Sequence, residues 1–324
     1  MSAEQNVPVT PRTKTTGLHV GDAVPGVAKV DPIIVADAVT REFGGLKAVD
    51  VDHLEIPRGA ITALIGPNGA GKTTLFNLLS GFDKPNHGTW SFDGRKLVGI
   101  PAFKSARLGQ VRTFQLTKAL GLLTVLENMK LGAPKQTGER FWASLLPFLW
   151  RGQEQANEAK ARELLQRFKL LEKEADFAAS LSGGQRKLLE MARALMSDPT
   201  FVMLDEPMAG VNPALTQSLL DHILDLKDRG MTVLFVEHDM HMVRHIADWV
   251  VVMAEGRIVA EGPPETVMKE QSVIDAYLGA HQDVDLGVVT GRVKGEMDTA
   301  AIDLLEDIEA DENASIAEAE EDKS

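Results

Sequence analysis

Three clusters of residues in this 324-residue chain have the types and spacing for chemistry on phosphate. GPNGAGKTT, from Gly66 to Thr74, fits G-x-x-x-x-G-K-[ST]. Glycines at these intervals let backbone N–H groups curl around phosphate oxygens at the positive end of the following helix. Gly66, Asn68, Gly69, Gly71, Lys72, Thr73 and Thr74 would line such a ligand. The Lys72 ammonium would reach the β- and γ-phosphates of a nucleoside triphosphate, and the Thr73 hydroxyl would ligate Mg²⁺. A Gly-rich turn without a ligand is the alternative, but a strand-like ITALI precedes the loop and a helical pattern follows it, as the chemistry requires.

FVMLDEP, from Phe201 to Pro207, places two carboxylates at the C-terminal end of an apolar run, the edge of an α/β sheet where ligands bind. Asp205 is positioned to hold Mg²⁺, directly or through water. Glu206, one residue on and pointing differently, is the candidate base for an attacking water, a role worth roughly 10²–10⁴ in rate. Taken alone, such a pair is equally well read as strand-end solvation; the phosphate loop upstream favours the catalytic reading.

LSGGQ, from Leu181 to Gln185, precedes RKLLEMARALM, in which Leu188, Leu189, Ala192, Leu195 and Met196 share a helical face. Ser182 and Gln185 match the S-x-x-Q capping box, which is a purely structural explanation of those two residues. Capping leaves Gly183 and Gly184 unexplained, since glycines at a helix start cost chain entropy unless the backbone must approach something closely. A second phosphate-reading helix terminus is the sharper alternative.

The elements that must hold these motifs are legible in outline. Ile61–Ile65, Phe201–Leu204 and Thr232–Val236 are short apolar runs bounded by polar or Gly residues, suited to strands buried on both faces of a parallel sheet. Ile33–Val39, Val49–Ile56 and TWSF-DG-RKL predict an antiparallel β region with a hairpin at Asp93-Gly94. Residues from about 116 to 180 are helical in character, with EQANEAKARELLQRFKLLEKEA forming one or two amphipathic helices. Inside that stretch FWASLLPFLW, from Phe141 to Trp150, is apolar and aromatic, either subdomain core or a docking surface. WVVVMAEGRIVAEG reads as two strands about a Glu255-Gly256 turn, and PETVMKEQSVIDAYLG as a closing helix. The expected plan is α/β: a flexible extension over residues 1–31, a body from 32 to 280 with its helical insert at about 116–180, and an acidic, disordered tail over 281–324.

Composition narrows the function classes. Net charge is −13, of which the stretch from His281 to Ser324 supplies −11 with 14 acidic and 3 basic residues. The nearly neutral remainder lacks the clustered basic surface that nucleic acid requires, so no nucleic-acid partner is expected. With no cysteine, disulfides and thiolate chemistry are excluded. The first twenty residues hold no apolar h-region, and the longest apolar stretch, from Phe141 to Trp150, has ten residues, so neither an export signal nor a bilayer span is expected.

In this order and spacing, GPNGAGKTT, LSGGQ and LDEP resemble the nucleotide-binding subunits of ABC transporters, over about residues 32 to 280. The resemblance implies a P-loop NTPase of ABC type, with a mostly parallel core sheet, an antiparallel β subdomain and a helical insert, acting as an ATPase on ATP and Mg²⁺. It implies that LSGGQ contacts the γ-phosphate held by a second ATPase subunit, paralogue or self, in a head-to-tail dimer, so that Ser182, Gly183, Gly184 and Gln185 act in trans. Gln115 in VRTFQ resembles the glutamine that touches Mg²⁺ or the attacking water where membrane subunits dock. His238 in VEHDM resembles the histidine that bonds the γ-phosphate, and Phe43 in REFGGLKAV the aromatic that stacks on adenine, a buried core Phe being the competing reading. In AGVN, Asn212 stands where most of the superfamily has Asp.

FGGLKAV, VRTFQ, VEHDM, Asn212 and the AYLG near the end of the body together resemble the branch that energises branched-chain amino acid uptake. That branch implies two transmembrane permease subunits and, indirectly, a periplasmic substrate-binding protein, with the chain peripheral at the cytoplasmic face of the bacterial inner membrane. Other members of the superfamily carry urea or amides, extract lipopolysaccharide, or act as soluble ATPases away from membranes. The extraction type usually has Pro-Gln where this chain has Phe114-Gln115, and soluble types usually have two cassettes or long coiled-coil inserts. A P-loop kinase would have no use for LSGGQ.

Overall fold

The computed structural model describes residues 24–97, 99–113, 120–134 and 150–279. Strands β1 (Pro32–Phe43) and β2 (Leu46–Pro57) pair antiparallel, and β4 (His87–Phe92) with β5 (Arg95–Lys96) extends them to a sheet ordered β2-β1-β4-β5. The Asp93-Gly94 turn has φ of 50° and 71°, both left-handed as a two-residue hairpin turn demands.

The second sheet is ordered β10-β9-β3-β8-β7-β6, from β3 (Ile61–Ile65), β6 (Gln110–Arg112), β7 (Phe201–Asp205), β8 (Thr232–Val236), β9 (Trp249–Ala254) and β10 (Arg257–Gly262). Its pairs are parallel except β9–β10. Every residue of β3, β7 and β8 is buried. Alternation divides them between two cores: Val202 and Leu204 face one cluster, Phe201 and Met203 the other.

The helices are α1 (Lys72–Leu79), α2 (Ala102–Ala106), α3 (Val125–Lys130), α4 (Arg151–Arg167), α5 (Gly183–Leu195), α6 (Pro213–Asp228), α7 (Met240–Ile246), α8 (Pro264–Val267) and α9 (Gln271–Gly279). The charged amphipathic run of the insert is one helix, α4, closed by Lys169 at φ 57° and followed by a 3₁₀ turn at Leu171–Lys173. The expected closing helix is two. Lys269 N–H donates to Thr266 O and Glu270 N–H to Val267 O, and these i to i−3 bonds tighten the chain and end α8 before α9 begins. Most of FWASLLPFLW (residues 141–149), and the acidic stretch 281–324, lie outside the described residues.

Residues 24–31 belong to the stretch expected to be a flexible extension, and they are tethered to the body. The Lys29 ammonium donates to Glu261 Oε2 at 2.6 Å in a fully buried ion pair and lies 4.9 Å from the Trp249 ring. Trp249 Nε1–H donates to the same oxygen and Val27 N–H to Glu261 Oε1. Lys29→Met removes the cation and strands a buried carboxylate, so unfolding free energy should drop by about 3 kcal/mol. A lowered urea midpoint measures this; an unchanged midpoint would show the tether to be energetically idle.

Candidate nucleotide site

The sheet register brings the Gly66–Thr74 loop, the carboxylate pair and His238 to one edge. In β3, Leu64 pairs with Val236 of β8, and Asp205 of β7 pairs with the same Val236. The phosphate loop after β3, the carboxylates ending β7 and His238 just past β8 therefore leave three adjacent strands side by side at their C-terminal ends. Glu206 N–H donates to Val236 O at 3.1 Å, locking the second carboxylate beside the His238 segment.

Steric limits dictate the glycines of the phosphate loop. Gly66 has φ 145° and Gly71 φ 98°; a Cβ on Gly66 would lie 2.1 Å from Met253 O, and one on Gly71 2.2 Å from Ala48 O. Gly71 is thus where the antiparallel sheet leans on the N-terminus of α1. Asn68 and Gly69 are exposed, so the loop's outer face is open. Lys72 Nζ donates to Gly66 O at 2.5 Å and Pro67 O at 2.9 Å, which holds the ammonium against the loop. Thr73 is exposed and Thr74 half-buried on the first turn of α1.

Asp205 is only 7% exposed, and its Oδ2 accepts from Arg112 Nη2 at 2.7 Å. Arg112 also donates to Asn77 and Ser80 and lies 4.7 Å from the Phe76 ring, so the end of β6 is pinned to α1 and β7 together. Among the described residues, no group of three or more His, Cys, Asp or Glu could hold a metal. The Thr73 hydroxyl and Asp205 carboxylate are hard oxygen donors, and that sparse set fits Mg²⁺, which typically uses one or two protein oxygens alongside substrate phosphates. Gln115 lies outside the described residues.

Glu206 is half-buried at φ 44°, a left-handed conformation costing about 1–2 kcal/mol for a residue with a Cβ. His238 is 52% exposed, its Nδ1 3.9 Å from Glu237 Oε2. Phe43, at the end of β1, is 49% exposed with Arg41 stacked on its ring at 4.5 Å, which rules out the buried-core reading and leaves an open aromatic face.

The LSGGQ segment forms both halves of the capping box. Ser182 Oγ accepts from Gln185 N–H, and the Gln185 side chain accepts from Ser182 N–H. Gly184 is buried, and a Cβ there would fall 1.8 Å from Leu215 Cδ2, so α6 packs directly on it; at Gly183 a Cβ would meet open space. The close approach expected at the glycine pair is therefore made within the chain at Gly184, while Ser182 and Gly183 are exposed. Gly184→Ala should cost about 1–3 kcal/mol by overpacking. Leu215→Ala in the same chain should return most of it in thermal unfolding; no recovery would remove Leu215 as the cause. Asn212, the departure in the AGVN segment, caps α6 by accepting from Leu215 N–H at 3.0 Å.

Two further residues escaped the sequence reading. Lys187 on α5 donates to Glu206 O, Pro207 O and Ala209 O, at 3.1, 3.0 and 2.5 Å. Glu237, 2% exposed, accepts from Met208 N–H at 3.0 Å. Burial pushes the Lys187 ammonium down and the Glu237 carboxyl up from their ordinary pKa values, opposed respectively by neighbouring acids and by the Met208 N–H. A carboxylate directly after the buried run TVLFV was the available signal for Glu237.

Comparison with known proteins agrees with this geometry. The family model described as ABC transporter matches residues 49–209, and that for the branched-chain amino acid ATP-binding cassette transporter matches residues 257–283. A probable branched-chain amino acid transport ATP-binding protein of Archaeoglobus fulgidus is 40% identical over 257 residues, 79% of this chain and 99% of the relative. A high-affinity branched-chain amino acid transport ATP-binding protein of Pseudomonas aeruginosa is 40% identical over 76% of this chain and 98% of its own length. A solved nucleotide-free ATP-binding cassette from an ABC transporter superposes with a TM-score of 0.67 at 36% identity, over 76% of this chain and 98% of the cassette. A related cassette in its ADP conformation gives the same TM-score and identity, over 76% of this chain and 99% of that one. With its phosphate loop, paired carboxylates and capped LSGGQ helix on this scaffold, the chain belongs to the ABC transporter family, as one of its ATP-binding, ATP-hydrolysing subunits.

Proposed function

We propose that the chain powers uptake of branched-chain or closely related amino acids through two partner permeases, working from the cytoplasmic face of the inner membrane. The observation that carries the ATPase half is the alignment of the Gly66–Thr74 loop, Asp205 with Glu206, and His238 on three adjacent strand ends. In this reading Lys72 binds the β- and γ-phosphates, Thr73 and Asp205 hold Mg²⁺, and Phe43 stacks on adenine. Glu206 takes a proton from the attacking water, and His238 bonds the γ-phosphate. Mg²⁺ supplies charge neutralisation between the phosphates. Gln115 senses the metal site and the docked permease.

The exposed Ser182 and Gly183 support a site completed in trans by a second ATPase subunit, self or paralogue. Among the described residues no helix is long and apolar enough to cross a membrane. A groove of about 390 Å³ lined by Val111, Arg112, Leu131, Gly132 and Arg193, between β6, the helical insert and α5, supports docking of a permease helix there. The amino acid substrate rests on the names of the relatives, and the periplasmic binding protein that would deliver it on the resemblance to the uptake branch alone.

Isolation of the tagged chain from mild-detergent extracts is expected to bring down two permease-type membrane proteins and a second ATPase, identified by mass spectrometry. A preparation without membrane proteins, or one holding lipopolysaccharide-extraction components, would overturn the uptake assignment.

A further inference from the structure

The segment from Glu206 to Ala209 is gripped from two sides by residues that the ATP chemistry leaves unused. On one side Lys187, on the first turns of α5, gives hydrogen bonds to the carbonyls of Glu206, Pro207 and Ala209. An ammonium has three N–H donors, and all three find carbonyls. On the other side Glu237, just past β8, accepts the N–H of Met208. Between these grips Glu206 is held at φ 44°, a backbone state that persists only when its surroundings over-determine it.

We propose that Lys187 is a positioning residue for hydrolysis, tying the LSGGQ helix to the peptide that carries Glu206. The inference rests on the reading of Glu206 as the base and names a residue that acts through it. Lys187 lies two residues beyond Gln185 on α5, so a shift of that helix pulls directly on the Glu206 carbonyl. The LSGGQ end, which serves the partner's nucleotide, is thereby linked to the same subunit's own base. Lysine suits the task because a point ammonium on a flexible stem can meet three convergent carbonyls, whereas a planar guanidinium cannot.

The test is Lys187→Met, compared with Glu206→Gln and the double variant in the full-length chain. The readouts are binding of a fluorescent ATP analogue, kcat, KM and single-turnover rates. Lys187→Met should bind the analogue within about twofold of wild type while kcat falls about 10- to 100-fold at unchanged KM, the cost of misplacing a catalytic group by about an ångström. In the Glu206→Gln background the same substitution should change the residual single-turnover rate by less than about twofold, because a residue acting through Glu206 has nothing left to position. Lys187→Arg, which keeps the charge but replaces the point ammonium with a planar guanidinium, should also lose kcat at unchanged KM, and it carries the test if the methionine variant fails to fold.

Wild-type kcat in both variants, or a loss of analogue binding that parallels the loss of kcat, would overturn the proposal. So would an undiminished further loss in the double variant. If Glu206→Gln itself turns over normally, the base assignment falls and this inference with it. If Glu206→Gln is inactive while both Lys187 variants are normal, only the inference falls.

Discussion

Replacing Glu206 with Gln should lower ATP turnover by roughly 10²–10⁴-fold, the range lost when a general base is removed, while leaving ATP affinity nearly intact. The substitution is close to isosteric, so the φ of 44° and the bond from Glu206 N–H to Val236 O can both persist. What disappears is the capacity to accept a proton from water. Because ATP remains bound and uncleaved, the variant should also accumulate as an ATP-dependent dimer, visible as a doubling of mass in light scattering. A Gln variant that hydrolyses ATP within a few-fold of wild type would assign the base elsewhere, and the buried Glu237 would be the next carboxylate to test.

Lys72→Ala acts one step earlier. It removes the cation facing the phosphates, and hydrogen bonds to charged groups contribute about 1.5–3 kcal/mol each, so ATP should bind roughly 10- to 100-fold more weakly and turnover should collapse. The ammonium also holds the loop through the carbonyls of Gly66 and Pro67. Lys72→Met, which retains most of the stem, separates packing of the stem from charge and should lose affinity equally. Titration with a fluorescent ATP analogue measures both variants; binding within twofold of wild type would break the assignment of this loop as the phosphate cradle.

Local sequence carried much of the architecture. The five-residue strands β3, β7 and β8 could be read because burial on both faces favours short, mostly apolar runs, and the two hairpins because Asp93-Gly94 and Glu255-Gly256 combine strand-flanked turns with left-handed φ. The capping box at Ser182 and Gln185 is a contact within four residues, and so it was legible too.

The features that escaped are those made by distant residues. Nothing near Lys187 in the chain foretells that its ammonium meets carbonyls about twenty positions on, nor does anything near Arg112 foretell Asp205, 93 positions away. Lys29 lies in a stretch without periodicity, and its partner Glu261 is 232 positions later. Gly184 teaches a narrower lesson: the argument from chain entropy correctly demanded a close neighbour, but the neighbour found is Leu215 of the same chain.

The most direct measurement is phosphate release from ATP by the membrane complex isolated through this chain and reconstituted into liposomes, with and without a branched-chain amino acid and its binding protein. The account predicts hydrolysis that rises with the amino acid and disappears when the complex carries Glu206→Gln. Hydrolysis indifferent to the amino acid would contradict the transport assignment, and hydrolysis that survives Glu206→Gln would contradict the site.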